Sequence, residues 1–392
     1  PYNSQIDDYE YSNCYVITAA DIQSIEYNNY DGFFFRPYVP GRGPKGDITG
    51  DPYEANSTFD IHNVRLLWQD AEQPIEHVEL VQGFIRIRLD SRTTAENIKS
   101  GNAIIAAYDK DSNIVWTWHI WVCDSIKDVT ISGVTFLDRN IGAVWAPSSQ
   151  DDRVNSGELA LKTYGLYYQW GRKDPSPGPM SYDYDIIDMR TATYYAFDAV
   201  RDDVSLVTMV GNAPTIADGV ANPSVILAPC NVGEEYSNDW LLVKNDDLWG
   251  SVSNKKTIYD PCPYGYKVPT NEIQTVLSSI PNNNFNEWGA VYNNGVYAYF
   301  PYSGWKGDDV GRVSRTSAWM KVGLAGDYQD ARFDPSSFHR GRSLITNSDF
   351  DVVIYGNYKN SYTRGLNINR FTNRITAASV RCVRYAGEPA NN

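Results

Sequence analysis

Strand periodicity constrains this chain more than any other feature. FIRIRL (Phe84 to Leu89) sets Ile85, Ile87 and Leu89 on one side and Arg86 and Arg88 on the other, the alternation of a half-buried antiparallel strand. AIIAAY and IVWTWHIWV follow, joined by the polar turn DKDSN, and together read as a hairpin. In its second strand Ile114, Trp116, Trp118, Ile120 and Val122 share one face, which places His119 on the other face as an exposed or half-buried residue. Few segments carry a helical period, and 29 Tyr and 11 Trp against four Met favour a β-rich chain that displays aromatic rings.

Two helices are expected. Ser156 to Trp170 has Glu158 near its start, apolar Leu159, Leu161, Leu166 and Tyr167, and Gly171 as a stop. A second begins at Thr270, with Asn271 and Glu272 in the first turn and Ile273, Val276, Leu277 and Ile280 on one face before Pro281. Asn293 to Gly295 is a turn between Tyr-rich strands, and residues 182–254 are loop-rich. The 392 residues suffice for two or three domains with sizeable cores.

A net charge of −14 disfavours nucleic acid and anionic membrane as partners. No apolar run reaches the ~18 residues that would span a bilayer. The chain starts at Pro1, so a processed product that has lost a signal segment is expected. Five cysteines are too few for a disulfide scaffold, no spacing suggests zinc, and the odd count leaves a free thiol, with Cys230 the candidate.

Five words occur in order: LDRNIGA (Leu137 to Ala143), YGLYYQWGRKDP (Tyr164 to Pro175), DLWG (Asp247 to Gly250), KTIYDPCP, and the closing ASVRCVRY. Between about Val134 and Tyr385 they resemble the Fibrobacter-type major paralogous domain of Bacteroidetes surface proteins, a family similar to C-type lectins. SNCYVI and GNAIIAAYDKDSNIVWTWHIWV resemble a module that often precedes that domain. The resemblance implies an α+β, β-rich protein: an antiparallel β-sandwich over 1–128, then a C-type-lectin-like domain over 129–392 with two short helices and long loops. It also implies a disulfide between Cys262, in a Pro-rich corner, and Cys382, in the last strand. A Cys14–Cys123 bridge is a weaker companion. Asp138, Arg139 and Asn140, like the Gly171–Asp174 corner, are expected to be buried supports for the loops, and Trp170 to be core.

Function implied by the resemblance is non-catalytic: an extracellular, cell-surface adhesin or ligand-capture protein, outer-membrane or fimbria associated, such as a fimbrial tip component. Its partners would be a glycan or host surface protein, with other fimbrial subunits. The alternatives are a surface glycan-binding protein of a polysaccharide-uptake system and, third, a lectin-fold enzyme. Catalytic motifs are scarce. The four histidines, His62, His77, His119 and His339, accompany no nucleophile elbow, and GRGPKG lacks the strand and helix context of a phosphate loop.

No cofactor is expected. Calcium has no motif support, because neither lectin calcium word occurs, and Asp109, Asp111 and Asn113 lack the glycine of an EF-hand loop. Sugars present apolar C–H faces beside hydroxyls, so rings flanked by polar residues are candidates. They are Asn238, Asp239 and Trp240; Tyr302 and Trp305; and Tyr355 and Tyr358. The ligand surface is accordingly expected on residues 182–254 and 302–358. The plain reading of Trp305 and Trp240 is that both are core residues; as ligand platforms they lead the candidates, and in that role they would be exposed rings whose removal spares the fold.

Overall fold

The computed structural model describes residues 12–28, 31–35, 61–70, 72–149, 157–176, 215–223, 239–241, 245–250, 255–270, 289–301 and 377–385, with the single residues 37, 152 and 154 and further single residues and isolated strand segments between 194 and 374. The described chain is β-rich, with three helices and several sheets. None of these helices is long and apolar enough to cross a membrane.

The first sheet is built from β1 (Cys14–Ile17), β3 (Asn63–Gln69), β6 (Gly101–Tyr108) and β7 (Ile114–Val122), in the order β1-β7-β6-β3. β1 runs parallel to β7, while β6 pairs antiparallel with both β7 and β3. The β6–β7 turn is closed by Asp109, whose carboxylate accepts from the backbone N–H of Asp111 and Asn113. Its oxygens are thereby spent inside the turn. A three-stranded sheet of β2 (Phe33–Phe35), β4 (Ile75–Val81) and β5 (Phe84–Leu89) lies on one face, where the Phe35 and Trp118 rings meet edge-on at 5.5 Å. Short α1 (Ala19–Asn28) follows β1, with Thr18 and Asp21 bonded at its start.

His119 is a correction. It is 2% exposed, because the opposite face of β7, carrying Thr117, His119 and Trp121, is covered by residues beyond position 128. The nine-residue strand is buried from Val115 to Val122. Such a run, interrupted only by Thr117 and His119, is the pattern of a strand covered on both sides.

Beyond residue 128 come β8 (Asp128–Ile131), β9 (Val134–Leu137), α2 (Gly157–Tyr164), β10 (Tyr167–Gln169) and β11 (Pro175–Ser176). β12 (Tyr194–Ala196) and β13 (Ala199–Arg201) extend the first sheet past β3, with Tyr195 opposite Gln69. α3 (Ile216–Ala221) carries a capping box in which Thr215 and Asp218 satisfy each other's backbone N–H. Strands 305–307, 319–321 and 377–378 join β10 and β11 in a five-stranded sheet, and 266–267 and 383–384 join β8 and β9 in a four-stranded one. The main hydrophobic core is one cluster containing both Cys14 and Cys382, so residues on either side of position 128 share it.

The first expected helix is shorter than its periodicity suggests. Gly165 takes φ +73°, and a Cβ there would stand 2.3 Å from the Ile141 carbonyl oxygen. The helix therefore ends at Tyr164, and Tyr167 and Tyr168 enter β10 opposite Ser176 and Pro175. Of the second expected helix, Glu272 and Val276 are helical, and Thr270 donates to the Glu272 carboxylate. The 289–293/297–301 hairpin turns through Gly295 at φ +77°.

Candidate functional site

A chain of hydrogen bonds crosses from the first sheet into the residues covering it. Asn102 Nδ2 donates to Asp70 Oδ2 at 2.7 Å and to the Gly142 carbonyl at 2.9 Å. Asn102 Oδ1 must then accept, and its partner, at 2.9 Å, is His119 Nε2. That fixes the Nε2–H tautomer and leaves Nδ1 to accept from the Tyr168 hydroxyl at 3.2 Å. Burial lowers the His119 pKa to about 3 and raises that of Tyr168. With both ring nitrogens engaged, His119 is a neutral connector and has no free nitrogen for general-base chemistry.

The Gly171–Asp174 corner makes a second crossing. Lys173 Nζ lies 2.6 Å from Asp174 Oδ1 and 3.1 Å from the Thr117 carbonyl, and is also bonded to Thr117 Oγ1. Thr117 Oγ1 donates in turn to Asp174. Nζ sits 4.3 Å from the centroid of the Trp116 ring, and burial pushes its pKa down against the pull of Asp174. Arg172 points the other way, donating to the carbonyls of Gly219 and Asn222 and so holding α3.

The same corner supports an aromatic–arginine stack. Trp170 packs at 5.8 Å from Trp249, and Trp240 Nε1 donates to the Trp170 carbonyl at 2.8 Å. The Arg374 guanidinium lies 3.7 Å from the Trp170 ring centroid; it donates through Nη1 to Asp239 Oδ2 at 2.9 Å and through Nη2 to Asp246 Oδ1 at 2.5 Å. Gln169 holds Leu227 through both its backbone N–H and its carbonyl. Framework arginines complete the set. Arg139 pairs with Asp138 and Asp124, and Arg381 joins Asn140 to the carbonyls of Leu137 and Tyr299.

In the Pro-rich corner, Asp260 accepts from the backbone N–H of Cys262 and Val268 and from Lys256 Nζ. Asn13 reaches across to donate to the Ile258 and Asp260 carbonyls. Cys262 and Cys382 are joined by a disulfide. Cys14 and Cys123 are separate buried thiols, which corrects the bridge expected between them. The β1–β7 register sets Cys14 opposite His119, four residues short of Cys123, and at ~3.3 Å per residue the two are about 13 Å apart along the strand. Burial raises both thiol pKa values, Cys123 to about 12, so neither is a reactive thiolate.

Two of the proposed ligand residues stand elsewhere than expected. Trp240 is 1% exposed and Asp239 is buried, since the ring packs beneath α3 against Gly219 and the carboxylate pairs with Arg374. They are supports, and an exposed ring at Trp240 is corrected. Trp305 lies in a strand between Lys321 and Ala378. Asn238, Tyr302, Tyr355, Tyr358, Cys230 and the GRGPKG segment lie outside the described residues. Sequence reasoning missed Asn102, Tyr168, Lys256, Arg374 and Arg381. For Arg381 a signal exists, a lone charge between Val380 and Cys382 in an apolar word.

Among the described residues no group of three or more His, Cys, Asp or Glu side chains is placed to hold a metal ion. No protein-family model matches the chain, and neither does any curated protein or solved structure.

Proposed function

We propose that this chain is a non-catalytic, cell-surface adhesin or ligand-capture protein, with a β-sandwich first part and a C-type-lectin-like second part, that binds a glycan or a host surface protein. One observation carries the reading: the polar groups of the framework words are committed to internal bonds. His119, Lys173, Asp174, Arg139 and Arg381 each bond within the frame. Recognition is then assigned to the loop-rich stretches of the expected ligand surface, 182–254 and 302–358, apart from the buried supports Asp239 and Trp240. A buried disulfide supports an extracellular setting, because such bonds persist in oxidising compartments. The test is a glycan-array and host-protein binding screen with the intact chain. Saturable binding to one ligand class supports the reading, and absence of binding in both panels counts against it.

A further inference from the structure

We propose that Asn294 is a site of spontaneous, water-driven modification, where an exposed hairpin tip converts a side-chain amide into an aspartyl or isoaspartyl linkage while the chain stays folded. The word VYNNGVY places the only Asn–Gly pair of the sequence at positions 294 and 295. The pair lies between strands 289–293 and 297–301, where Asn293 stands opposite Tyr297. Asn293, Asn294, Gly295 and Val296 are all exposed.

The reaction balances with water alone. The Gly295 backbone nitrogen attacks Asn294 Cγ, losing its proton to hydroxide, and the side-chain nitrogen takes a proton from water and leaves as ammonia, which closes a succinimide ring. Water then opens the ring at either carbonyl, giving an aspartyl residue or one whose backbone runs through the side-chain carboxyl. The attack needs a nitrogen that can reach Cγ and a turn that water can enter. Gly295 supplies both. It has φ +77° and no Cβ to obstruct the approach, and an atom built at the Cβ position would meet nothing within 4 Å. Among the described residues neither the Gly295 N–H nor the Asn294 side-chain amide makes a hydrogen bond, so neither reacting group is held back. The Asn294 backbone N–H reaches the Val296 carbonyl at 3.4 Å, a long bond that resists rearrangement of the tip only weakly.

Comparable words elsewhere are blocked. Gly219 follows Asp218, but its N–H donates to the Thr215 carbonyl at 3.2 Å and the Asp218 carboxylate caps α3. Gly32 follows Asp31, whose carboxylate is held by Arg86. The amides of Asn13, Asn102 and Asn140 are buried and donate to backbone carbonyls. Below the tip the hairpin is fixed, because Tyr299 packs with Val154, Ala160 and Tyr164 and its carbonyl accepts from Arg381 Nη2 at 2.9 Å. The change is thereby confined to the turn.

Incubating the intact native chain in heavy-oxygen water beside a denaturant-unfolded sample tests this, with peptides read by mass spectrometry. Native conversion at position 294 should proceed within about tenfold of the unfolded rate, because no local opening has to come first. Asn294→Gln, whose longer side chain closes a ring far more slowly, should lose the heavy-oxygen uptake and melt as the parent does. A native chain that keeps its amide while the unfolded sample converts overturns the proposal, as does faster native uptake at Asn13, Asn102 or Asn140. Uptake that persists in the 289–301 peptide of Asn294→Gln would assign the reaction to Asn293 and overturn it equally. The converted parent should keep its melting profile, and a lower, broadened transition would contradict confinement to the tip.

Discussion

Tyr168 and His119, on strands from the two ends of a buried seam, share a hydrogen bond from the phenol to Nδ1 at 3.2 Å. The bond is the last link from Asp70 through Asn102 and His119 to Tyr168, and burial holds the imidazole in its neutral form. The sign of its pH linkage follows. The His119 pKa is lowered to about 3 from an ordinary 6.5, so the unfolded chain binds the extra proton between those values. Stability is complete above pH 6.5 and falls as the pH drops toward 3, by up to about 1.4 kcal/mol per pH unit from this group. Denaturant titrations between pH 7 and 5 should show a shallower acid loss for His119→Gln than for the parent. Equal slopes would contradict the assignment.

Trp240→Ala should be costly to the fold, as the core reading of this ring implies and the ligand-platform reading does not. Its ring is buried and its Nε1 bonded to Trp170, so truncation should cost about 3–5 kcal/mol. A thermal melt within a degree or two of the parent would show the ring to be dispensable.

Gly165→Ala should also destabilise, by roughly 1–3 kcal/mol, because a Cβ would press on the Ile141 carbonyl oxygen in a left-handed conformation. Chemical denaturation measures it, and an unchanged midpoint would contradict the placement of this turn.

The Cys262–Cys382 bond closes a loop of 120 residues. In the chain-entropy model such a loop stabilises by about 5 kcal/mol. A Cys262→Ser/Cys382→Ser variant should unfold at markedly lower denaturant concentration; non-reducing peptide mapping of the parent that recovers both as free thiols would remove the basis for this expectation.

Residues 1–128 alone should not reach a cooperative fold. Thr117, His119 and Trp121 are covered by later residues, and Asn13 is bonded to the 258–260 corner. Near-UV circular dichroism of that fragment should lack the tryptophan signature of the whole chain. A cooperative melt with native-like near-UV bands would show the seam to be unnecessary.

Much of the frame is legible in the sequence because local rules govern it. The DKDSN hairpin, the FIRIRL strand and the Asn293–Gly295 turn follow from periodicity and turn chemistry, and all three occur. The Asp138–Asn140 and Gly171–Asp174 words read as buried supports, and their charges are internally paired. What escaped depends on partners distant in sequence. His119 looks exposed until the second covering layer is known, and Arg374 looks like an ordinary loop charge until Asp239, 135 positions away, is placed beside it. Trp240 misled for the same reason: an indole flanked by Asn and Asp has the composition of a sugar platform, and only packing under α3 distinguishes it from a support.

The central claim is that this chain binds its ligand without altering it. The most direct measurement incubates the intact protein with the glycan or surface protein selected by the panels, records binding by titration, and analyses the recovered ligand by mass spectrometry. The account predicts saturable binding with the ligand returned unchanged. A cleaved or modified product that accumulates in proportion to protein and time would contradict it.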